Sequence, residues 1–67
     1  GDRAALRAKL DELQTRLPSG HALRGVVLCH KAHLLHRDEA TRAEALLLAR
    51  EACAAGERPC CELAKQP

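Results

Sequence analysis

Residues 19–38 read SGHALRGVVLCHKAHLLHRD. Two apolar stripes run through this segment at helical spacing. Leu23, Val27, His30 and Leu34 form one, and Leu28, Ala32 and Leu35 form another, rotated from the first. A helix that is apolar on two sides has to bury both, so it needs two neighbours and belongs at the centre of a bundle. Gly25 costs about 1 kcal/mol relative to alanine inside a helix. A glycine placed there is expected to let another backbone come close. Ser19 is the expected N-cap.

The flanking segments supply the neighbours. In DRAALRAKLDELQTRLPSG, residues 2–20, leucines 6, 10, 13 and 17 recur at spacings of four, three and four, a narrow amphipathic stripe. Asp2 is the expected N-cap, and Arg7 with Asp11 and Glu12 with Arg16 are i,i+4 pairs on the wet side. Pro18 and Gly20 end the helix. Downstream, residues 39–56 read EATRAEALLLAREACAAG. Thr41 to Glu44 fits a capping box, with Asp38 as a competing cap if the helix begins earlier. Leu46, Leu47, Arg50, Cys53 and Ala54 make one face, and Ala45, Leu48, Ala49 and Ala52 a smaller one. Gly56 suits the C′ position. In ERPCCELAKQP, residues 57–67, Pro59 suits the first turn of a short helix that would lay Cys60, Leu63 and Ala64 on the bundle. Short connections make successive helices antiparallel. The expected fold is all-α: a small antiparallel bundle of three helices with a short fourth, packed or trailing. Residues 1–67 form one domain, read as a segment of a longer protein with Gly1 as a remnant of cloning.

Composition agrees. The 67 residues include no aromatic side chain and no Ile, and Val occurs only at 26 and 27, which leaves little material for a sheet. Eleven Lys and Arg face nine Asp and Glu. That near-balance, without aromatic stacking platforms, argues against a nucleic-acid partner. No apolar run approaches a membrane span, so no membrane partner is expected either. Among 67 residues there is one serine, Ser19, and no nucleophile with an evident base and orienter, so the chain is read as no enzyme and as needing no cofactor.

Four cysteines remain, Cys29, Cys53, Cys60 and Cys61. Small stapled scaffolds are usually loop-rich, whereas this chain reads as helix, so reduced thiols in an intracellular protein, cytoplasmic or nuclear, are expected. Cys29 and His33 stand i,i+4 and share a helix face. With Cys60 or Cys61 folded back beside them, they would make a zinc site, and a small zinc-stabilised helical domain is the rival functional reading. The plainer reading of the histidines is local: His30 partly buried on its stripe, His33 and His36 on wetter positions beside Lys31 and Arg37, with His36 favoured near the helix C-terminus. Cys53 pairing with Cys60 or Cys61 would make a redox switch.

The residues AEALLLAREACAAGERP, 43–59, place Ala45 and Ala52 seven apart, with Pro59 after the second helix. Ala32 falls where a first helix needs a small residue, and Leu35 where an aromatic would stand. In these features residues 28–56 resemble a degenerate tetratricopeptide-type helical hairpin. The resemblance implies a peptide-binding, scaffold or adaptor role.

The leucines carry the leading functional reading. They outnumber what one modest core can conceal, which points to a non-catalytic protein–protein interaction module. Its partner would be an amphipathic helix, a short linear motif or a second copy forming a dimer. The expected binding residues are Leu28, Leu35, Leu47 and Leu48, with Arg24, Arg42 and Arg50 at the rim.

Overall fold

The computed structural model describes residues 2–66; Gly1 and Pro67, and the readings attached to them, lie outside the described residues. The fold is all-α. Among the described residues four helices follow in order: α1 (Asp2–Arg16), α2 (Ala22–His36), α3 (Arg42–Ala54) and the short α4 (Arg58–Ala64). A single 3-10 turn, Glu39–Thr41, joins α2 to α3. Arg24 at the start of α2 meets the last turn of α1, Gly25 meets Ala55 just past α3, and Thr41 before α3 meets Leu35 near the end of α2. Helices α1, α2 and α3 are therefore successively antiparallel. The Cα envelope measures 29 × 27 × 14 Å, a slab with α2 in the middle.

The local signals act much as the chain's chemistry dictates. After α1, the His21 N–H donates to Pro18 O at 3.0 Å, and Gly20 takes φ +91°. That is a turn needing positive φ at its third residue, which glycine adopts without strain. The cap of α2 differs from expectation. His21, not Ser19, fills it: its Nδ1 accepts the Leu23 N–H at 3.1 Å. Asp38 caps the 3-10 turn through the Ala40 N–H. Thr41 is the N-cap of α3, yet its hydroxyl makes no capping bond and donates instead to Leu35 O at 2.6 Å. Asp2, read as a cap, lies within α1. At the end of α3 the Gly56 N–H donates to Cys53 O and the Glu57 N–H to Ala52 O, with Gly56 at φ +99°. These two bonds satisfy the last carbonyls and turn the chain sharply into α4. Pro59 sits in the first turn of α4, where its missing N–H costs nothing.

Between the two stripes of α2, the second goes to the core. Leu28, Ala32 and Leu35 are all buried, whereas of the first stripe only Val27 is buried, Leu34 is half-buried, and Leu23 and His30 are exposed. On α3 the smaller face wins: Ala45, Ala49 and Ala52 are buried, with Leu48 packed at the margin. Alanines let α3 come close to α2, which the larger leucines could not do. Gly25 serves the same approach at the far end, since a β-carbon there would stand 2.9 Å from the Ala55 β-carbon.

The seam between α1 and α2 is polar. Only Leu10 of the α1 stripe is buried; Leu6 is exposed, and Leu13 and Leu17 are half-buried. Lys31, expected on a wet position, is 8% exposed beneath α1. Its ammonium forms an ion pair with Asp11 and donates to Gln14 Oε1 at 3.0 Å. Arg24 donates to Leu17 O at 2.8 Å and Gln14 O at 3.1 Å, capping the C-terminal end of α1. Arg7 keeps its pair with Asp11 at 3.8 Å and also reaches Glu44 of α3 at 3.1 Å. The Glu12–Arg16 pair forms at 2.7 Å.

Candidate functional site

Sulfur chemistry converges where α4 crosses the bundle. Cys29 lies on the core side of α2, Cys53 in the last turn of α3, and Cys60 and Cys61 in the first turns of α4. Neighbouring residues on a helix point about 100° apart, so α4 can aim Cys60 at one helix and Cys61 at another. Two disulfides result: Cys29–Cys60, across a Cα separation of 5.7 Å, and Cys53–Cys61, across 4.6 Å. Both separations lie in the range that a bridge spans.

The reduced-thiol expectation is thus corrected. Its premise was that stapled chains are loop-rich. Here a seven-residue helix docked across two others brings four cysteines together without long loops. Of the two partners open to Cys53, the structure selects Cys61.

His33 stands one helical turn beyond Cys29, and its ring closes on the first bridge. Nδ1 lies 3.8 Å from Cys29 Sγ, 3.9 Å from Cys60 Sγ and 3.0 Å from Cys29 O. The three potential ligand atoms of Cys29, His33 and Cys60 all lie within 4.8 Å of one another. The cysteines are buried and the imidazole is exposed, so the cluster opens to solvent on the His33 side. His30 and His36 take no part in the cluster, and His21 is spent as a cap.

The leucine-rich surface is smaller than the sequence implied. Leu28 is 1% exposed and Leu35 4%, so both belong to the core and neither can meet a partner. Core packing claimed them because α3 offers alanines opposite, leaving a slot that large side chains fill. Leu48 is half-buried at the core's edge. Leu47, in contrast, is 64% exposed on the outer side of α3. Among the rim arginines, Arg24 is committed to the α1 carbonyls. Arg42 is exposed and its Nε donates to His36 O at 3.4 Å. Arg50 is exposed, and among the described residues it forms no ion pair.

The sequence did not mark Lys31, Asp11 and Gln14 as a unit. Lys31 shares its helix with Arg24 and three histidines, so it did not stand out as a buried cation. No helix among the described residues is long and apolar enough to cross a membrane. Comparison with known protein families, curated proteins and solved structures finds no match to this chain.

Proposed function

We propose that the chain is a non-catalytic helical module that seats an amphipathic helix of a protein partner on the outer face of α3. The observation that carries this reading is Leu47, the most exposed of the large apolar side chains. On a 3.6-residue repeat it shares a face with Ala43 and Ala54, both exposed, and Arg50 follows one turn on. Small residues on either side of a leucine let a second helix approach, and the leucine supplies an anchor. Arg50, without an ion pair of its own, and Arg42 at the helix start favour a partner whose apolar stripe is flanked by Asp or Glu. Leu48 closes the edge of this face. The tetratricopeptide-like character of residues 28–56 is in keeping with such a role. An intracellular placement, cytoplasmic or nuclear, is proposed with it.

A photo-crosslinking residue placed at position 47, and in parallel at the exposed Ala8 of α1, tests the reading in cells. A discrete protein adduct from position 47 alone, lost when Arg50→Glu is added, is expected. Equal labelling from both positions, or an adduct indifferent to Arg50→Glu, overturns it. An adduct at twice the mass of the chain would identify a second copy as the occupant and replace the partner helix.

A further inference from the structure

We propose that Cys29, His33 and Cys60 form a thiol-dependent site for a tetrahedral, thiophilic divalent cation, with zinc as the fitting ion. It is occupied when the Cys29–Cys60 bridge is open. The argument starts from distances. In a tetrahedral zinc site with Zn–S near 2.3 Å and Zn–N near 2.0–2.1 Å, the sulfur-to-nitrogen edges are roughly 3.5–3.6 Å. The observed 3.8 Å and 3.9 Å from His33 Nδ1 to the two sulfurs lie within a few tenths of an ångström of those edges. The imidazole is already held beside both sulfurs, and only the sulfurs need part, to an edge of roughly 3.8 Å.

The surroundings fit the same chemistry. Cys29 and His33 project from one face of α2, and Cys60 is presented by the first turn of α4. Three donors therefore come from two elements that pack against each other. The exposed side of His33 leaves the fourth coordination position facing water. His33 also has a local alternative, since Nδ1 lies 3.0 Å from Cys29 O. As a metal ligand the ring carries its proton on Nε2 and releases the carbonyl.

The reaction balances in two steps. A dithiol reductant supplies two electrons and two protons; the Cys29–Cys60 bond breaks, two thiols form, and the reductant becomes a disulfide. The divalent ion then forms bonds with both sulfurs and with the His33 Nδ1 lone pair, and the two thiol protons pass to solvent. Oxidation runs the sequence backwards and expels the ion. The Cys53–Cys61 pair lies outside the three-donor cluster.

The test is cobalt titration of the whole chain, oxidised and after reduction with a phosphine. The reduced chain is expected to take up one cobalt ion with thiolate charge-transfer bands and the d–d spectrum of a tetrahedral ion, and zinc should displace it. The oxidised chain should show neither band. Loss of an outer-shell partner alone weakens metal sites about 10–100-fold. His33→Ala should therefore weaken binding at least about tenfold, while the oxidised form keeps its helical circular dichroism. Cys53→Ser/Cys61→Ser should retain the spectrum. If reduction unfolds the metal-free chain, helix content should return with one equivalent of metal, and failure to return counts against the site. A reduced chain that binds no cobalt, a His33→Ala chain that binds as well as the parent, or binding that survives Cys29→Ser each overturns the proposal.

Discussion

The β-carbon of Ala55 stands 2.9 Å from where a β-carbon on Gly25 would lie. Ala55 is fixed to the backbone just past α3, so it cannot swing away as a long side chain would. Gly25→Ala gains about 1 kcal/mol of helix propensity but has to push α2 from the α3–α4 turn. Overpacking of this kind costs roughly 1–3 kcal/mol. Net destabilisation is expected in urea unfolding, and Ala55→Gly should restore what Gly25→Ala removes. If Gly25→Ala raises the midpoint by itself, the close approach of the two segments is not what glycine serves.

The two bridges close chain segments of different length, 31 residues for Cys29–Cys60 and 8 for Cys53–Cys61. On loop-closure entropy they contribute about 3.7 and about 2.5 kcal/mol. Replacing Cys29 and Cys60 together by alanine should lower the oxidised protein's stability more than replacing Cys53 and Cys61. Equal losses from the two double variants would mean that the unfolded chain's entropy does not set the difference.

Lys31 tests the polar seam. Lys31→Ala removes the stem that fills the gap beneath α1 and leaves Gln14 Oε1 without its donor, at a cost of about 1–3 kcal/mol. Lys31→Met keeps the volume of the stem but leaves Asp11 and Gln14 Oε1 without their partner, as Lys31→Ala does. Chemical denaturation should therefore rank the parent above Lys31→Met, and Lys31→Met above Lys31→Ala. A Lys31→Met variant as unstable as Lys31→Ala would show that charge, not packing, joins the two helices.

The chain's local signals told most of the architecture. Leucine spacing, Pro18 with Gly20, Gly56 and Pro59 mark the element ends, because each acts through its own backbone. Gly25 announced a close approach because its cost inside a helix demands compensation. The inward stripe of α2 was not legible, since both stripes have helical period and only the alanines of α3 choose between them. Sulfur pairing was hidden for a similar reason. Four cysteines allow three pairings, and the choice depends on how α4 lies across α2 and α3. The Cys29–His33 relationship was visible as an i,i+4 spacing, and Cys60 joined it only through docking. Leu28 and Leu35 looked like binding residues because apolar character alone does not distinguish a core position from an exposed one.

The polar character of the first seam also sets an order of loosening. Helices α2, α3 and α4 are cross-linked to one another by sulfur, whereas α1 is held by one buried leucine, a lysine, a few carbonyl contacts and the exposed Arg7–Glu44 ion pair. Opening should begin there, with the amino-terminal helix swinging off about the Pro18–Gly20 elbow while the rest stays shut. Its amides would exchange with solvent long before those of the stapled remainder.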